Sequence, residues 1–165
     1  MLSNDIYKKI KNLDQKTMLY EDLDQKIRNI GKKINAPDNI YPDMRRPRYN
    51  GYFAYPHIEI KPPYYHYVVI ERGEELQRKK FHDVNDLLFE VFYKITFDMA
   101  KQYELYNRVE GQDFRKILFT HQLNLMKCLD STWHDKAKNE IDIILEKNPY
   151  NDNQASSKQT DTQRS

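Results

Sequence analysis

Cysteine is nearly missing from this 165-residue chain: Cys128 stands alone, so a disulfide framework and a cysteine-based zinc site are both excluded. Only four glycines occur, and none falls in a P-loop, a GxGxxG or a GxSxG pattern. The chain therefore carries none of these phosphate-cradling or nucleophile-elbow signatures. No apolar run approaches the ~18 residues of a membrane span. The opening "MLSNDIYKKIKNLDQK" lacks the basic-then-apolar order of a signal sequence. These absences predict a cytoplasmic protein with no membrane partner. A dominant charge is lacking too. The net charge is +2, with Lys and Arg in mild excess over 1–35 and 43–80 and acidic residues in mild excess over 81–150. That balance is far from the clustering of a dedicated nucleic-acid binder.

What the chain has in quantity is tyrosine. Thirteen of them make up most of the 13% aromatic content, while only 39% of residues are hydrophobic and 32% are charged. Tyrosine adds apolar area while keeping a polar tip, which suits half-buried sheets and recognition surfaces. The length predicts one α+β domain over 1–150, large enough to bury a core without staples.

Periodicity divides that domain. Ile6, Ile10, Leu13, Thr17 and Tyr20, then Leu23, Ile27, Ile30 and Ile34, step by three or four, predicting a long N-terminal helical segment over 1–34 that is bent or broken near Tyr20. Three prolines and a glycine make 35–51 an irregular connection. The stretches "YFAYPHIEI" and "YYHYVVIE", separated by "KPP", read as an antiparallel hairpin, and "LQRKKF" as a further strand after the turn "RGEE". Pro56 places the first of these strands at an edge. The result is a small antiparallel β-meander of two to three strands over 52–81. Three helices follow over 83–147: one capped by Asp83 with an apolar face from Val84 to Tyr103, one from Asp113 to Leu129 that is apolar nearly all round, and one from about Thr132 to Lys147 capped by Asp130 or Ser131. This C-terminal three-helix unit is expected to pack on the sheet. The tail 151–165 is polar and is read as disordered.

The candidate chemistry is sparse. His57 and Glu59 share a strand face that His66 can approach, a two-histidine, one-carboxylate set of the kind that holds a metal. No helical spacing supports it, and two histidines on a half-exposed sheet are the plainer reading. "HIE" matches the HxE of zinc deaminases, but no PCxxC follows. Cys128 is read as a small hydrophobe on a buried helix, and His121 as a core histidine. Arg45, Arg46 and Arg48, with Arg78, Lys79 and Lys80, form two basic clusters that suit phosphates, and a nucleic-acid-binding accessory protein is the alternative reading they carry. The charges of "YNRVEGQDFR" sit at a junction between helices, where Gly111 permits a turn and Asp113 caps the next helix. Arg108 and Arg115 are placed to lock that bend to the sheet through Glu71.

The order "YPHIEI…YYHYVVIERGEE…LLFEVFYKITFDMA…YELYNRVEGQDFRKILFTHQLNLMKCL…W…NPYND" resembles the immunity protein 63 family of bacterial polymorphic-toxin systems over about residues 52–152. The resemblance implies a non-enzymatic protein with no cofactor, made beside a secreted or contact-delivered toxin. It would bind the cognate toxin domain in the producer's cytoplasm and protect that cell. The family motif carries over to Glu71, Arg72, Gly73, Asn107, Arg108, Glu110, Gly111, Asp113 and Arg115, which read as structural. Tyr52, Tyr55, Tyr65, Tyr67, Arg45, Arg46 and Arg48 are the candidate partner contacts, because tyrosine and arginine are favoured anchors of tight interfaces.

Overall fold

A computed structural model describes residues 18–47 and 54–152. The order is α+β: helix α1 (Tyr20–Gly31), strands β1 (Asp43–Met44), β2 (Tyr55–Lys61), β3 (Tyr64–Glu71) and β4 (Glu74–Phe81), then helices α2 (Val84–Asn107), α3 (Phe114–Leu129) and α4 (Ser131–Lys147). The expected helical stretch ahead of Met18, the candidate contacts Arg48 and Tyr52, and the tail from 153 lie outside the described residues. Internal packing divides the described chain into two compact units, one drawn from 18–32 and 37–91, the other from 33–36 and 92–152. Helix α2 runs from the first into the second.

In the first unit, the sheet has the order β1-β2-β3-β4. The hairpin β2–β3 and the pairing β3–β4 are antiparallel as expected. The strand count is four rather than two to three, because part of the proline-rich connection extends. Asp43 and Met44 pair in parallel with His57 and Ile58, and the Arg45 N–H donates to the Ile58 carbonyl at 2.8 Å. β2 is therefore internal over these two residues rather than an edge. Pro56 can lie in it because it precedes the short parallel ladder and leaves no donor unpaired there.

The alternation of β2 and β3 sorts their side chains. Ile58, Tyr65 and Tyr67 are buried on one face, while Glu59 and His66 pair across the other. The Tyr20 hydroxyl of α1 accepts the Ile60 N–H at 2.7 Å, and the Tyr65 hydroxyl accepts the Met18 N–H at 3.1 Å. Leu23 and Ile27, four residues apart, are both fully buried. Gly31 is the last residue of α1, and Tyr41 lies against it: a Cβ there would stand 2.8 Å from two ring carbons of Tyr41. Arg28 covers the same ring from 5.0 Å.

Helix α2 begins where Asp83 accepts the Asn85 N–H at 2.6 Å. Its buried positions are Leu87, Leu88, Phe89, Val91, Phe92, Ile95, Thr96, Ala100 and Glu104. Tyr103, expected on the apolar face, is 43% exposed. Each step of four residues turns the face by about 40°, so a series stepping Ile95, Met99, Tyr103 walks off it.

In the second unit, Ala100, Leu118, Phe119 and Ile141 form the core, with Phe97, Leu123 and Leu145 packed against it. Phe92 and Trp133 stack at 5.7 Å. Gln122 is completely buried and donates to the Tyr93 carbonyl at 3.0 Å, tying α3 to α2. Asp130 ends α3 and caps α4, accepting the Thr132 and Trp133 N–H groups. Helix α3 is less buried than its composition predicts: Phe114 is 49% exposed, and Cys128 is exposed rather than packed inside.

Candidate functional site

The charged stretch between α2 and α3 is resolved by its internal partners. Glu104, on the buried side of α2, is 1% exposed, and its carboxylate receives Arg108 Nε at 2.7 Å and Nη2 at 2.8 Å. Asn107 donates to the Tyr103 carbonyl one turn back. Gly111 then takes a φ of 77°, which only glycine adopts freely, and the Gln112 N–H closes the turn on the Val109 carbonyl at 3.2 Å. Asp113 caps α3 through the Arg115 N–H at 3.0 Å and binds the Arg115 guanidinium with both oxygens. Arg108 and Arg115, expected to reach Glu71, have carboxylate partners within the second unit, Glu104 and Asp113. Glu104 and Arg108 are one helical turn apart on α2, and Asp113 reaches Arg115 from the N-cap of α3.

The chain returns to this corner after α4. Arg115 donates to the Asn148 carbonyl at 2.7 Å and to the Pro149 carbonyl at 2.9 Å, while its guanidinium lies over the Tyr150 ring. The Asn151 N–H donates to Asp113 Oδ2. Asp152 in turn accepts the Asp113 N–H at 2.9 Å and the Lys116 ammonium at 2.7 Å. Asn151 and Asp152, assigned to the tail from sequence, are thus bound to the α2–α3 turn. The Arg115 guanidinium beside Asp113 holds its carboxyl well below the usual carboxylate range.

With Glu104 and Asp113 buried and paired, the corner also presents apolar groups outward. Tyr106 is 87% exposed, and Tyr103, Val109 and Phe114 are also open. Beside them is a pocket of about 350 Å³ lined by Tyr103, Gln112, Lys116, Ile117, Thr120, His121 and Asn124. Tyr103 and His121 stack at 3.8 Å with rings nearly parallel, making one wall. Burial depresses the His121 pKa. His121 is thus half-buried at a pocket wall rather than a core residue. Composition hides this surface, because its apolar residues look like core until the buried face of α2 is known.

The motif "ERG" serves a different turn. Glu71 and Glu74 pair across the β3–β4 hairpin, and the two residues between them, Arg72 and Gly73, both have positive φ, 52° and 81°. This is the geometry of the tight turn whose twist matches the strands it joins. Glu110 lies exposed in the α2–α3 turn.

On the sheet, His57, Glu59 and His66 do come together, but around an arginine. Arg78 of β4 donates to Glu59 Oε2 and to His66 Nδ1, each at 2.9 Å, and forks onto Glu75 at 2.7 and 2.8 Å. His57 Nε2 lies 3.1 Å from Glu59 Oε1, and Lys61 also reaches Glu59. A guanidinium thus lies between Glu59 and His66, and no metal-ligating cluster of three such groups exists among the described residues. Arg78 was legible in sequence only as part of a basic cluster. Strand pairing sets it opposite Val68, within reach of both Glu59 and His66.

The candidate contacts separate by exposure. Tyr65 and Tyr67 are 5% and 3% exposed, which takes their rings off the surface. Tyr55 is half-buried, with its hydroxyl 2.8 Å from the Asn39 and Tyr41 carbonyls. Arg45 and Arg46 are exposed; Arg45 pairs with Glu21 at 3.1 Å and lies over the Tyr20 ring.

No helix among the described residues is long and apolar enough to cross a membrane. No curated protein and no solved structure matches the chain. A family model does match: that of Immunity protein 63, over residues 62–143, from the β2–β3 turn through α3 and most of α4. Over these residues the chain belongs to the immunity protein 63 family.

Proposed function

We propose that this chain is an immunity protein that binds a cognate polymorphic-toxin domain in the cytoplasm of the producing cell and neutralises it by covering its working surface. The observation that carries the reading is the family match over 62–143. The geometry of the motif residues supports it from another side. Glu104, Arg108, Asp113 and Arg115 satisfy one another, so on this reading they shape the protein and no substrate meets them. The protein acts by contact, without a reaction of its own.

The nucleic-acid alternative draws little support from the basic clusters. Arg78 is held by Glu59 and Glu75, and Lys79 by Glu90, with Glu59 and Glu90 themselves mostly buried, so much of the positive charge of this strand is already neutralised at short range. Phosphate contacts would have to displace these carboxylates.

The test is mixing the purified chain with the toxin domain encoded beside it. A stable complex in gel filtration and a fall in toxin activity with an equimolar endpoint are expected. Full toxin activity in excess of this chain would overturn the proposal.

A further inference from the structure

We propose that the toxin docks on the corner between α2 and α3, with Tyr106 and Phe114 as apolar anchors and the adjoining pocket receiving an aspartate or glutamate side chain of the toxin on Lys116. This rests on the toxin-binding reading and gives it a surface.

Helical spacing gathers the elements. Tyr103 and Tyr106 are three residues apart on the last turns of α2. Phe114, Ile117 and His121 follow a three-then-four spacing along α3, so they share one face. Tyr103, Ile117 and His121 line the pocket, which places the exposed rings of Tyr106 and Phe114 on the same faces as its walls. A large aromatic ring left 87% in water on a helix carries much apolar area, the profile of an interface anchor.

The pocket selects the charge of what enters. Among its lining residues Lys116 is a cation, and no aspartate or glutamate lines it. Gln112, Thr120 and Asn124 add neutral groups able to donate hydrogen bonds. The chain itself shows what Lys116 takes: the Asp152 carboxylate accepts from its ammonium at 2.7 Å. That pair is solvent-exposed, with side chains 35% and 49% accessible, so it is weak and open to exchange. A toxin carboxylate entering the pocket would take over Lys116 under better-desolvated conditions, where an interfacial charge pair fixes register and specificity.

Titration calorimetry of the full chain against the purified, catalytically inactivated toxin domain encoded beside it tests this. Tyr106→Ala and Lys116→Glu are each expected to weaken Kd by about 30-fold or more. Asp152→Asn, which frees Lys116, is expected to hold or tighten affinity, and Leu76→Ala on β4 to leave it unchanged. Tyr106→Ala should keep the melting temperature of the parent. A toxin that binds the parent, and binds Tyr106→Ala and Lys116→Glu equally well, overturns the docking site while the toxin reading stands. Loss of affinity in Asp152→Asn equal to that in Lys116→Glu also overturns it, because the pair would then act only through the fold. A corner that instead joins two copies of this chain, with Tyr106→Ala giving monomers of unchanged toxin affinity, overturns it as well. No binding by the parent chain removes the toxin reading itself.

Discussion

The Arg115 guanidinium grips both oxygens of Asp113, Nε on Oδ1 at 3.0 Å and Nη2 on Oδ2 at 2.6 Å, and the same arginine holds the carbonyls of Asn148 and Pro149. One side chain therefore joins the α3 cap to the segment that follows α4. The Asp113 carboxylate is 7% exposed, and removing its partner would leave it charged and under-satisfied. Arg115→Ala is expected to cost about 2–3 kcal/mol, read from urea unfolding. Arg115→Lys should recover only part of this, since an ammonium cannot make the paired contact.

Stability should fall in acid in two stages. Burial and the neighbouring Arg78 depress the His66 pKa, with Lys61 and Lys80 adding to the effect and Glu59 opposing it, and burial depresses that of His121. A folded state that binds protons less readily than the unfolded chain is fully stable above the ordinary imidazole value, about 6.5, and loses stability as pH falls through it. The second stage comes from Asp113 and Glu59, whose carboxyls are held far below the ordinary range by Arg115 and Arg78 respectively. Their contribution is present above about pH 4 and is lost as pH falls from there toward the depressed folded values. The urea midpoint measured across pH should show both declines. His66→Gln, which keeps an acceptor for Arg78 without a titrating ring, should shrink the first and leave the part that His121 contributes.

Gly31→Ala should destabilise the protein by about 1–3 kcal/mol. The added methyl would meet the ring of Tyr41, which is 2% exposed and held over by Arg28, so neither partner can retreat cheaply. Thermal melting of this variant beside Tyr41→Phe/Gly31→Ala distinguishes a clash with the hydroxyl, which the double variant relieves, from one with the ring, which it does not.

The fold was legible where pattern and burial coincide. The Asp83 and Asp113 caps, the α2 face from Leu87 to Ile95 and the β2–β3 hairpin all follow from local spacing and turn chemistry. The two-residue strand Asp43–Met44 was not, since its pairing with His57 and Ile58 is a long-range event inside a proline-rich stretch. At the candidate site, the turn at Gly111 was readable, but the outward aromatic face was not. Tyr103 and Phe114 look like core in one dimension, and only the rotation of their helices turns them to the surface. The reverse happened to Tyr65 and Tyr67, whose rings strand pairing buries.

Cys128 illustrates the same limit and offers a simple check. It sits in an apolar helix yet faces solvent. A thiol-specific reagent should label the native protein stoichiometrically without denaturant. Labelling only after unfolding would show that α3 is rotated from its described setting.

Neutralisation of a toxin by binding is the role proposed for this chain. The most direct measurement is growth of a susceptible host that expresses the toxin domain encoded beside this gene, with and without the chain expressed in its cytoplasm. Growth is expected to be restored by the parent chain, restored equally by Leu76→Ala, and reduced by Tyr106→Ala. Cells that die at the same rate whether or not the parent chain is present would contradict that role.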